Sequence, residues 1–220
     1  MQTVDTTDPT PPTSTTSARR RPWGQMLAIL FGGLLVAALV GWLGLRWITP
    51  HPYSGTVMQA PTAAPSMDGL VFTDGSAVDI AAFDDDLLLV YFGYTNCPDV
   101  CPTTLSQVAT ARRMLGDDAE RVQVLLVSID PERDDLATLD QYVTAFDPDF
   151  LAATGEIAEL ERVASQYGIF FAEGEAVGDG DYAVDHTATL MGIDTEGHLR
   201  IVWPAVLDVE RLAADLRELL

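Results

Sequence analysis

The sequence contains no lysine, only two cysteines and only three histidines. Its twelve basic residues are therefore all arginine, against 33 acidic residues, and the formal net charge is −21. Nucleic acid is excluded as a partner class, because binding to phosphates needs a positively charged surface. The 220 residues leave room for one membrane element and one domain of about 150 residues, which buries a core without disulfides.

The amino-terminal third holds one long uncharged run. Residues 1–21 form a polar Thr/Pro/Ser segment that ends in three arginines and is typical of a disordered tail. Residues 22–48 are apolar over a length that spans a bilayer core of about 30 Å, which is longer than a signal-peptide core. Tryptophans near both ends and the excess of arginine before the run predict a single-pass anchor in the cell membrane, with the amino terminus cytoplasmic and the carboxyl-terminal domain extracytoplasmic. Residues 49–66 hold four prolines and no formal charge, which predicts an extended linker.

Strand and helix patterns alternate in residues 67–220. Residues 87–93 and 122–129 are apolar runs typical of buried strands, and the segment between them, which starts at Pro102, has helical spacing. Strand, helix, strand in this order predicts a parallel crossover. Further helices are predicted near residues 134–146, 156–167 and 209–220, with hairpins at 69–80 and 187–203. This outline predicts an α/β domain with a thioredoxin-like fold, preceded by a single transmembrane helix.

Both cysteines lie in "YTNCPDVCPTT", residues 94–104, where a predicted strand ends and a helix begins. Helix amides without partners favour negative charge at this position and lower thiol pKa values. With Pro102 as the first helical residue, Cys101 would be the N-cap and Cys97 would lie in the turn before it. Both sulfurs would then face one concavity.

Three interpretations of the cysteine pair compete. A purely stabilising disulfide is disfavoured, because closing a loop of about five residues constrains little of the unfolded chain. Reversible dithiol chemistry suits an oxidising compartment, although redox pairs in this fold usually have two residues between the cysteines rather than three. Metal binding is the third. Two thiolates and one imidazole suit copper, whereas structural zinc prefers four protein ligands.

A third ligand must come from the three histidines. His51 falls in the predicted linker and His198 in a predicted hairpin turn, where both are expected to be solvated. His186 stands in "YAVDHTATL", after the polar loop 174–182, and this loop is expected to run beside the cysteine turn. An isolated histidine is more often a structural hydrogen bonder than a ligand, so the residues alone leave its role open.

Five segments in chain order resemble one known family. They are "FGYTNCPDVCPTTL" (92–105), "VSIDPERDD" (127–135), "DQYVTAFDP" (140–148), "ATGE" (153–156) and "YAVDHTATLMGIDTEGHL" (182–199). Together they look like the Sco/SenC family of copper proteins, over roughly residues 68–220 and with the membrane anchor in front. The resemblance implies a thioredoxin-like fold and a copper ion, Cu(I) or Cu(II), bound through Cys97, Cys101 and His186.

The same resemblance implies a function and partners. The family delivers copper to the binuclear centre of the copper-bearing subunit of cytochrome c oxidase, or keeps the cysteines of that centre reduced. Other copper carriers and thiol reductants are further candidate partners. The chain is thus expected to be a copper chaperone, with a membrane-tethered thiol-disulfide reductase as the alternative. A thiol peroxidase is disfavoured, because Tyr94 stands where such enzymes place threonine.

Four residues near the motifs are assigned weaker roles. Asp185 would orient the imidazole or adjust the charge at the metal, or else only cap a loop. Asp130 lies near the same face, although a turn with Pro131 also explains it. Asp134 is expected to cap a helix, and Tyr94 is expected to lie in the core.

Overall fold

The computed structural model describes residues 23–48, 53–176, 182–205 and 207–220, with only the backbone at 45–48, 175 and 176. The predicted tail, residues 1–21, falls outside this part of the chain. Helix α1 (Trp23–Ile48) belongs to a unit separate from the rest. Its segment Trp23–Gly44 is long and apolar enough to cross a membrane, and none of that segment is buried within the structure. Its 22 residues extend over about 33 Å at the helical rise per residue.

The second unit contains nine strands and four helices among the described residues. The strands are β1 (Thr56–Ala63), β2 (Leu70–Phe72), β3 (Leu87–Gly93), β4 (Val122–Ser128), β5 (Leu151–Gly155), β6 (Phe171–Ala176), β7 (Tyr182–His186), β8 (Thr189–Ile193) and β9 (His198–Pro204). The helices are α2 (Val100–Arg113), α3 (Leu136–Thr144), α4 (Ile157–Gln166) and α5 (Val209–Leu219), with short 3₁₀ turns at Ile80–Phe83 and Gly116–Arg121.

Seven strands form one sheet in the order β1-β9-β8-β3-β4-β5-β2. Strand β3 pairs parallel to β4 and antiparallel to β8, and β4 pairs parallel to β5. Every residue of β3 is buried, as expected for a central strand covered on both faces. Helix α2 packs against α5, and α3 and α4 contact β5. The predicted parallel pairing and the thioredoxin-like outline are confirmed.

Strands β6 and β7 form a separate two-stranded sheet. They pair antiparallel, with Phe171 opposite His186 and Ala172 opposite Asp185. The sequence predicted a polar loop at residues 174–182. In the structure strand β6 runs on to Ala176, and residues 177–181 lie outside the described part. We call β6 and β7 the histidine hairpin.

Helix α2 begins two residues earlier than predicted. Asp99 is its N-cap and Val100 its first residue, so Cys101 lies inside the first turn and is not the N-cap. Proline is tolerated throughout a first turn, because amides there have no helical partner, and Pro102 therefore did not mark the start.

The structure also places strand β1 within the predicted linker, residues 49–66. This strand pairs antiparallel with β9 at the edge of the main sheet, and its register shifts between Val57 and Thr62. Just before it, the backbone N–H and hydroxyl of Ser54 both donate to the buried Asp215 carboxylate of α5. Prolines are compatible with an edge strand, so the composition that predicted a linker does not prevent pairing.

The hairpin predicted at residues 69–80 is reduced to one bridge between Val71 and Ala77, because β2 instead pairs antiparallel with β5. The predicted hairpin at residues 187–203 is confirmed as β8 and β9.

Candidate metal centre

The two sulfurs lie at the carboxyl end of the central strand. Strand β3 ends at Gly93, and the chain turns over residues 94–99 into helix α2. Cys101 is fully buried, whereas Cys97 keeps 8% of its surface exposed. The backbone N–H of Cys101 donates to the Sγ atom of Cys97 across 3.3 Å. The sulfur of Cys97 thus occupies the anion-favouring position at the start of α2.

Gly93 makes room for the buried sulfur. A Cβ atom at this residue would lie 3.0 Å from the Sγ atom of Cys101 and 2.9 Å from the ring of Tyr91. Both distances are shorter than carbon atoms tolerate in a packed interior. The glycine is therefore required by the close approach of Cys101 to the end of β3.

The two thiols have opposite protonation preferences in the metal-free protein. Hydrogen bonds from the Cys101 thiol and from backbone amides lower the pKa of Cys97 to about 5. The same thiol-to-sulfur bond, together with burial, raises the pKa of Cys101. At neutral pH the reduced pair therefore holds one thiolate, on the more exposed sulfur, and one thiol. The thiolate is the nucleophilic and metal-binding form.

A buried phenol also contacts the pair. The hydroxyl of Tyr91 in β3 donates to the Sγ atom of Cys101 across 3.7 Å. Burial raises the pKa of Tyr91, so the hydroxyl keeps its proton and remains a donor. No sequence pattern singles out this residue, because a tyrosine in an apolar strand looks like any other core aromatic.

His186 ends strand β7 and is half-buried. Its Nε2 atom lies 3.7 Å from the Sγ atom of Cys101, and its Nδ1 atom lies 3.1 Å from the carbonyl oxygen of Val184. A carbonyl only accepts hydrogen bonds, so Nδ1 carries a proton and Nε2 is the ring nitrogen that faces the sulfur. Tyr94, buried as predicted, packs edge-on against the imidazole at 5.7 Å between ring centroids.

The spacing of Cys101 and His186 suits two ligands of one small metal ion. First-row ions bind thiolate at about 2.3 Å and imidazole at about 2.0 Å, so two such ligands at a trigonal angle lie about 3.7 Å apart. The distance between the Cys101 sulfur and the His186 Nε2 atom has this value. Two sulfurs and one nitrogen are a donor set of the kind that suits Cu(I).

A second group of donors lies in the turn between β8 and β9. Of the residues that the structure describes, Asp194, Glu196 and His198 bring three donor atoms within 4.8 Å of one another. The donor atoms of Cys97, Cys101 and His186 do not all lie within that distance of one another. Turn formation accounts for this group, because the Asp194 carboxylate accepts the backbone N–H groups of Glu196 and His198. The prediction placed His198 in the turn, but it is the first residue of β9, with its side chain 37% exposed. His51 lies outside the described residues.

The two aspartates predicted near the metal occupy different places. Asp185 is exposed and points to the opposite side of β7 from His186, beside Gly174. Asp130 is buried, and its carboxylate binds the Tyr182 hydroxyl and the Arg133 guanidinium. Neither carboxylate contacts the His186 imidazole in the described residues. That either aspartate orients the imidazole or adjusts the charge at a metal stays a prediction.

Asp134 has a structural role other than the predicted helix cap. The cap of α3 is Asp135, whose side chain accepts from the Thr138 N–H. Asp134 is fully buried and accepts three hydrogen bonds, two from Thr95 and one from Ser128. It therefore fastens the cysteine loop, two residues before Cys97, to the end of β4. Two adjacent aspartates give no sequence signal for which one faces inward.

Comparison with known proteins identifies the family. The profile described as SCO1/SenC matches residues 65–220. The chain belongs to the SCO1/SenC family. Its Sco relatives include the mitochondrial SCO2 homolog of Bos taurus, which is 30% identical over 195 residues, covering 84% of this chain and 73% of the relative.

Solved Sco structures share the fold. The apo Sco1 protein of Thermus thermophilus has a TM-score of 0.68 at 36% identity, over 77% of this chain and 98% of its own. Copper-bound ScoI of Bradyrhizobium japonicum has a TM-score of 0.63 at 35% identity, over 73% and 98% of the two chains. The predicted Sco/SenC resemblance is confirmed.

Proposed function

We propose that this chain is a membrane-anchored copper chaperone. In this proposal Cys97, Cys101 and His186 bind one copper ion and pass it to the binuclear copper centre of the copper-bearing subunit of cytochrome c oxidase during assembly. One observation carries the proposal: the 3.7 Å approach of the His186 Nε2 atom to the Cys101 sulfur, which brings soft donors from distant parts of the chain together. A copper-bound Sco structure at 35% identity and the membership of Sco proteins among cytochrome c oxidase assembly proteins support it.

The anchor completes the proposal. Helix α1 has the length and apolar composition of a membrane span. Three arginines precede it and one lies near its end, which favours a cytoplasmic amino terminus and an extracytoplasmic copper domain. Receiving and donating proteins would then meet the domain at the same membrane surface, and its negative charge would attract their basic patches.

A copper titration of the reduced full-length chain in detergent tests the site. We expect one copper ion per chain, near-complete loss of binding in the Cys97→Ser, Cys101→Ser double variant, and binding weakened about tenfold or more in His186→Ala. His198→Ala is the matched control, since that histidine lies in the other donor group, and should bind as the unchanged chain does. Full copper binding by the double cysteine variant would refute the site.

A second function is favoured by the pKa of Cys97, which lies near 5. As a thiolate, Cys97 can attack a partner disulfide and form a mixed disulfide, releasing one partner thiolate. Cys101 then loses its proton and attacks Cys97, which forms the Cys97–Cys101 disulfide and releases the second partner thiol. The pair is oxidised by two electrons and the partner is reduced by two, which is the chemistry required to keep copper-site cysteines reduced.

His186 separates the two functions. Thiol exchange uses only the sulfurs. The His186→Ala variant should therefore reduce a peptide disulfide at close to the rate of the unchanged chain, while it binds copper more weakly. A variant that loses both activities equally would contradict this division of roles.

A further inference from the structure

The donors of the proposed site belong to two different sheets. Cys97 and Cys101 follow β3 of the seven-stranded sheet, whereas His186 ends β7. Within the described residues, β7 forms ladder hydrogen bonds only with β6. The position of the imidazole relative to the sulfurs is therefore not fixed by a continuous ladder. It depends on the contacts that join the histidine hairpin to the body of the domain.

A pocket lies beside the hairpin. This half-open pocket of about 400 Å³ lies between part of the hairpin, the end of β4 and the start of α4. Its lining includes Ile129, Asp130, Ile157, Phe171, Tyr182 and Val184. Apolar packing of Val184, Phe171 and Tyr182 against the core attaches the hairpin, and the polar contacts beside the pocket add to that attachment.

Three residues, Asp130, Arg133 and Tyr182, form a ring of polar contacts beside this pocket. The Arg133 guanidinium pairs with the Asp130 carboxylate at 2.5 Å, and its Nη1 atom donates to the carbonyl oxygen of Tyr182 across 2.9 Å. The Tyr182 hydroxyl donates to the other Asp130 oxygen across 2.8 Å. The carbon at the centre of the guanidinium lies 3.7 Å from the centroid of the Tyr182 ring. Arg133 thus holds both the backbone and the ring of the first residue of β7.

The charged pair in this ring is shielded from solvent, whereas Tyr182 is half-buried. The side chain of Asp130 is 2% exposed and that of Arg133 is 17% exposed. A charge pair at this depth is screened far less by salt and water than a surface pair. Separating the two charges would leave a buried charge without a partner, which is costly in free energy. The pair therefore stays closed.

A second group of contacts joins strand β7 to the body of the domain near His186. The backbone N–H of Val184 donates to the Tyr94 hydroxyl across 3.2 Å, and the ring of Tyr94 packs against the His186 imidazole. The guanidinium of Arg133 lies 5.8 Å from the centroid of the same Tyr94 ring. Both ends of strand β7 are therefore attached to the body by contacts that meet at Arg133 and Tyr94.

We propose that Asp130, Arg133 and Tyr182 form a clasp that sets the position of the His186 imidazole at the copper site. The three are positioning residues, since they act on the metal only through strand β7. This inference rests on the proposed function for the ion involved, but the attachment of the hairpin is a property of the metal-free chain and is tested separately.

Amide hydrogen exchange of the reduced, metal-free full chain in detergent tests the attachment. We expect exchange in strand β7, above all at Val184, to become at least about tenfold faster in Arg133→Gln and in Tyr182→Phe, with β3 and β4 unchanged. The matched controls are Arg162→Gln, which breaks a surface pair with Glu159 on α4, and Tyr167→Phe, whose hydroxyl binds the Pro65 carbonyl. Neither control should change exchange in β7.

Copper binding tests the consequence for the site. Supporting groups around metal-binding histidines typically contribute about 10- to 100-fold to affinity, so we expect both clasp variants to lose about tenfold. The nitrogen hyperfine signature of a Cu(II)-loaded sample should weaken with them, while the midpoint potential of the cysteine pair stays constant. Arg133→Lys keeps the charge opposite Asp130 without the planar fork and should fall between Arg133→Gln and the unchanged chain.

The outcomes separate the two hypotheses. Failure of the unchanged chain to bind copper refutes the proposed function. Copper binding by the unchanged chain, with equal affinity and equal β7 exchange in the clasp variants, overturns the clasp. If Arg133→Gln fails to fold, Tyr182→Phe decides the question, because it removes a single oxygen atom and keeps the ring beneath the guanidinium.

Discussion

The Nε2 atom of His186 lies 3.7 Å from the Sγ atom of Cys101, although 85 residues separate them in the chain. The backbone N–H of Cys101 also donates to the Cys97 sulfur. Cys101 is thus the neighbour of both other donors. It is also the most deeply buried of the three, so the site is organised around the sulfur that solvent reaches least.

Cys97 should alkylate as a thiolate well below neutral pH. In the reduced, metal-free chain its pKa is about 5, so iodoacetamide should react at nearly the same rate from about pH 8 to about pH 6 and should slow below about pH 5 as the sulfur gains its proton. The rate is measured by mass spectrometry of the labelled peptide.

The donor thiol supplies the control for this profile. Cys101→Ala removes the main hydrogen bond that lowers the Cys97 pKa, so its profile should shift to higher pH. An inflection at the ordinary thiol pKa in the unchanged chain would contradict the assignment.

Tyr91→Phe should make the cysteine pair harder to reduce. The hydroxyl donates to the Cys101 sulfur, and such a bond stabilises reduced sulfur more than a disulfide. Loss of about 1 kcal/mol corresponds to a midpoint potential lower by roughly 20 mV. Equilibration with glutathione buffers measures it, and Tyr167→Phe, which removes a hydroxyl bound to Pro65, should leave the potential unchanged.

Gly93→Ala should destabilise the domain and displace the Cys101 sulfur. The added methyl would approach that sulfur to 3.0 Å, and overpacking of this kind costs about 1 to 3 kcal/mol in the free energy of unfolding. Urea denaturation gives the value. In a double-mutant cycle with Cys101→Ala the cost of Gly93→Ala should shrink but not vanish, because the sulfur is gone while the Tyr91 ring remains at 2.9 Å; strict additivity would argue against the close approach to the sulfur.

Asp134→Asn should lower stability much more than Asp135→Asn. Asp134 accepts three buried hydrogen bonds, and an amide in its place loses charge assistance and leaves about 2 kcal/mol uncompensated. Asp135 is an exposed N-cap, where asparagine serves about as well as aspartate. Equal denaturation midpoints for the two variants would show that Asp134 does not hold the cysteine loop.

Elements with strong apolar runs were predictable from the sequence. Strands β3 and β4 are almost wholly buried, so their composition alone marked them and placed the cysteines at the end of a central strand. Strand β1 has mostly exposed side chains and contains a proline, and it is a strand only because the edge of β9 offers it partners. Tertiary pairing of this kind leaves no local signal.

The residues around the candidate metal centre were likewise only partly predictable from the sequence. His186 was found through a motif, whereas the contacts proposed to position it come from Arg133 and Tyr182. Both residues lie in quoted motif segments, but they are far apart in the chain and nothing in the sequence shows that they meet. Tyr91 was not selected, and Asp134 was assigned as a helix cap, for a related reason. Each resembles its neighbours in sequence, and only the fold decides which side chain turns toward the sulfurs or the cysteine loop.

The placement of the donors on two different sheets has a consequence for the proposed copper transfer. The two sulfurs lie at one strand-to-helix corner, whereas the imidazole is carried by a hairpin that, in the described residues, shares no strand pairing with the main sheet. In the proposed transfer a partner that loosens strand β7 would therefore weaken one ligand without moving the two sulfurs.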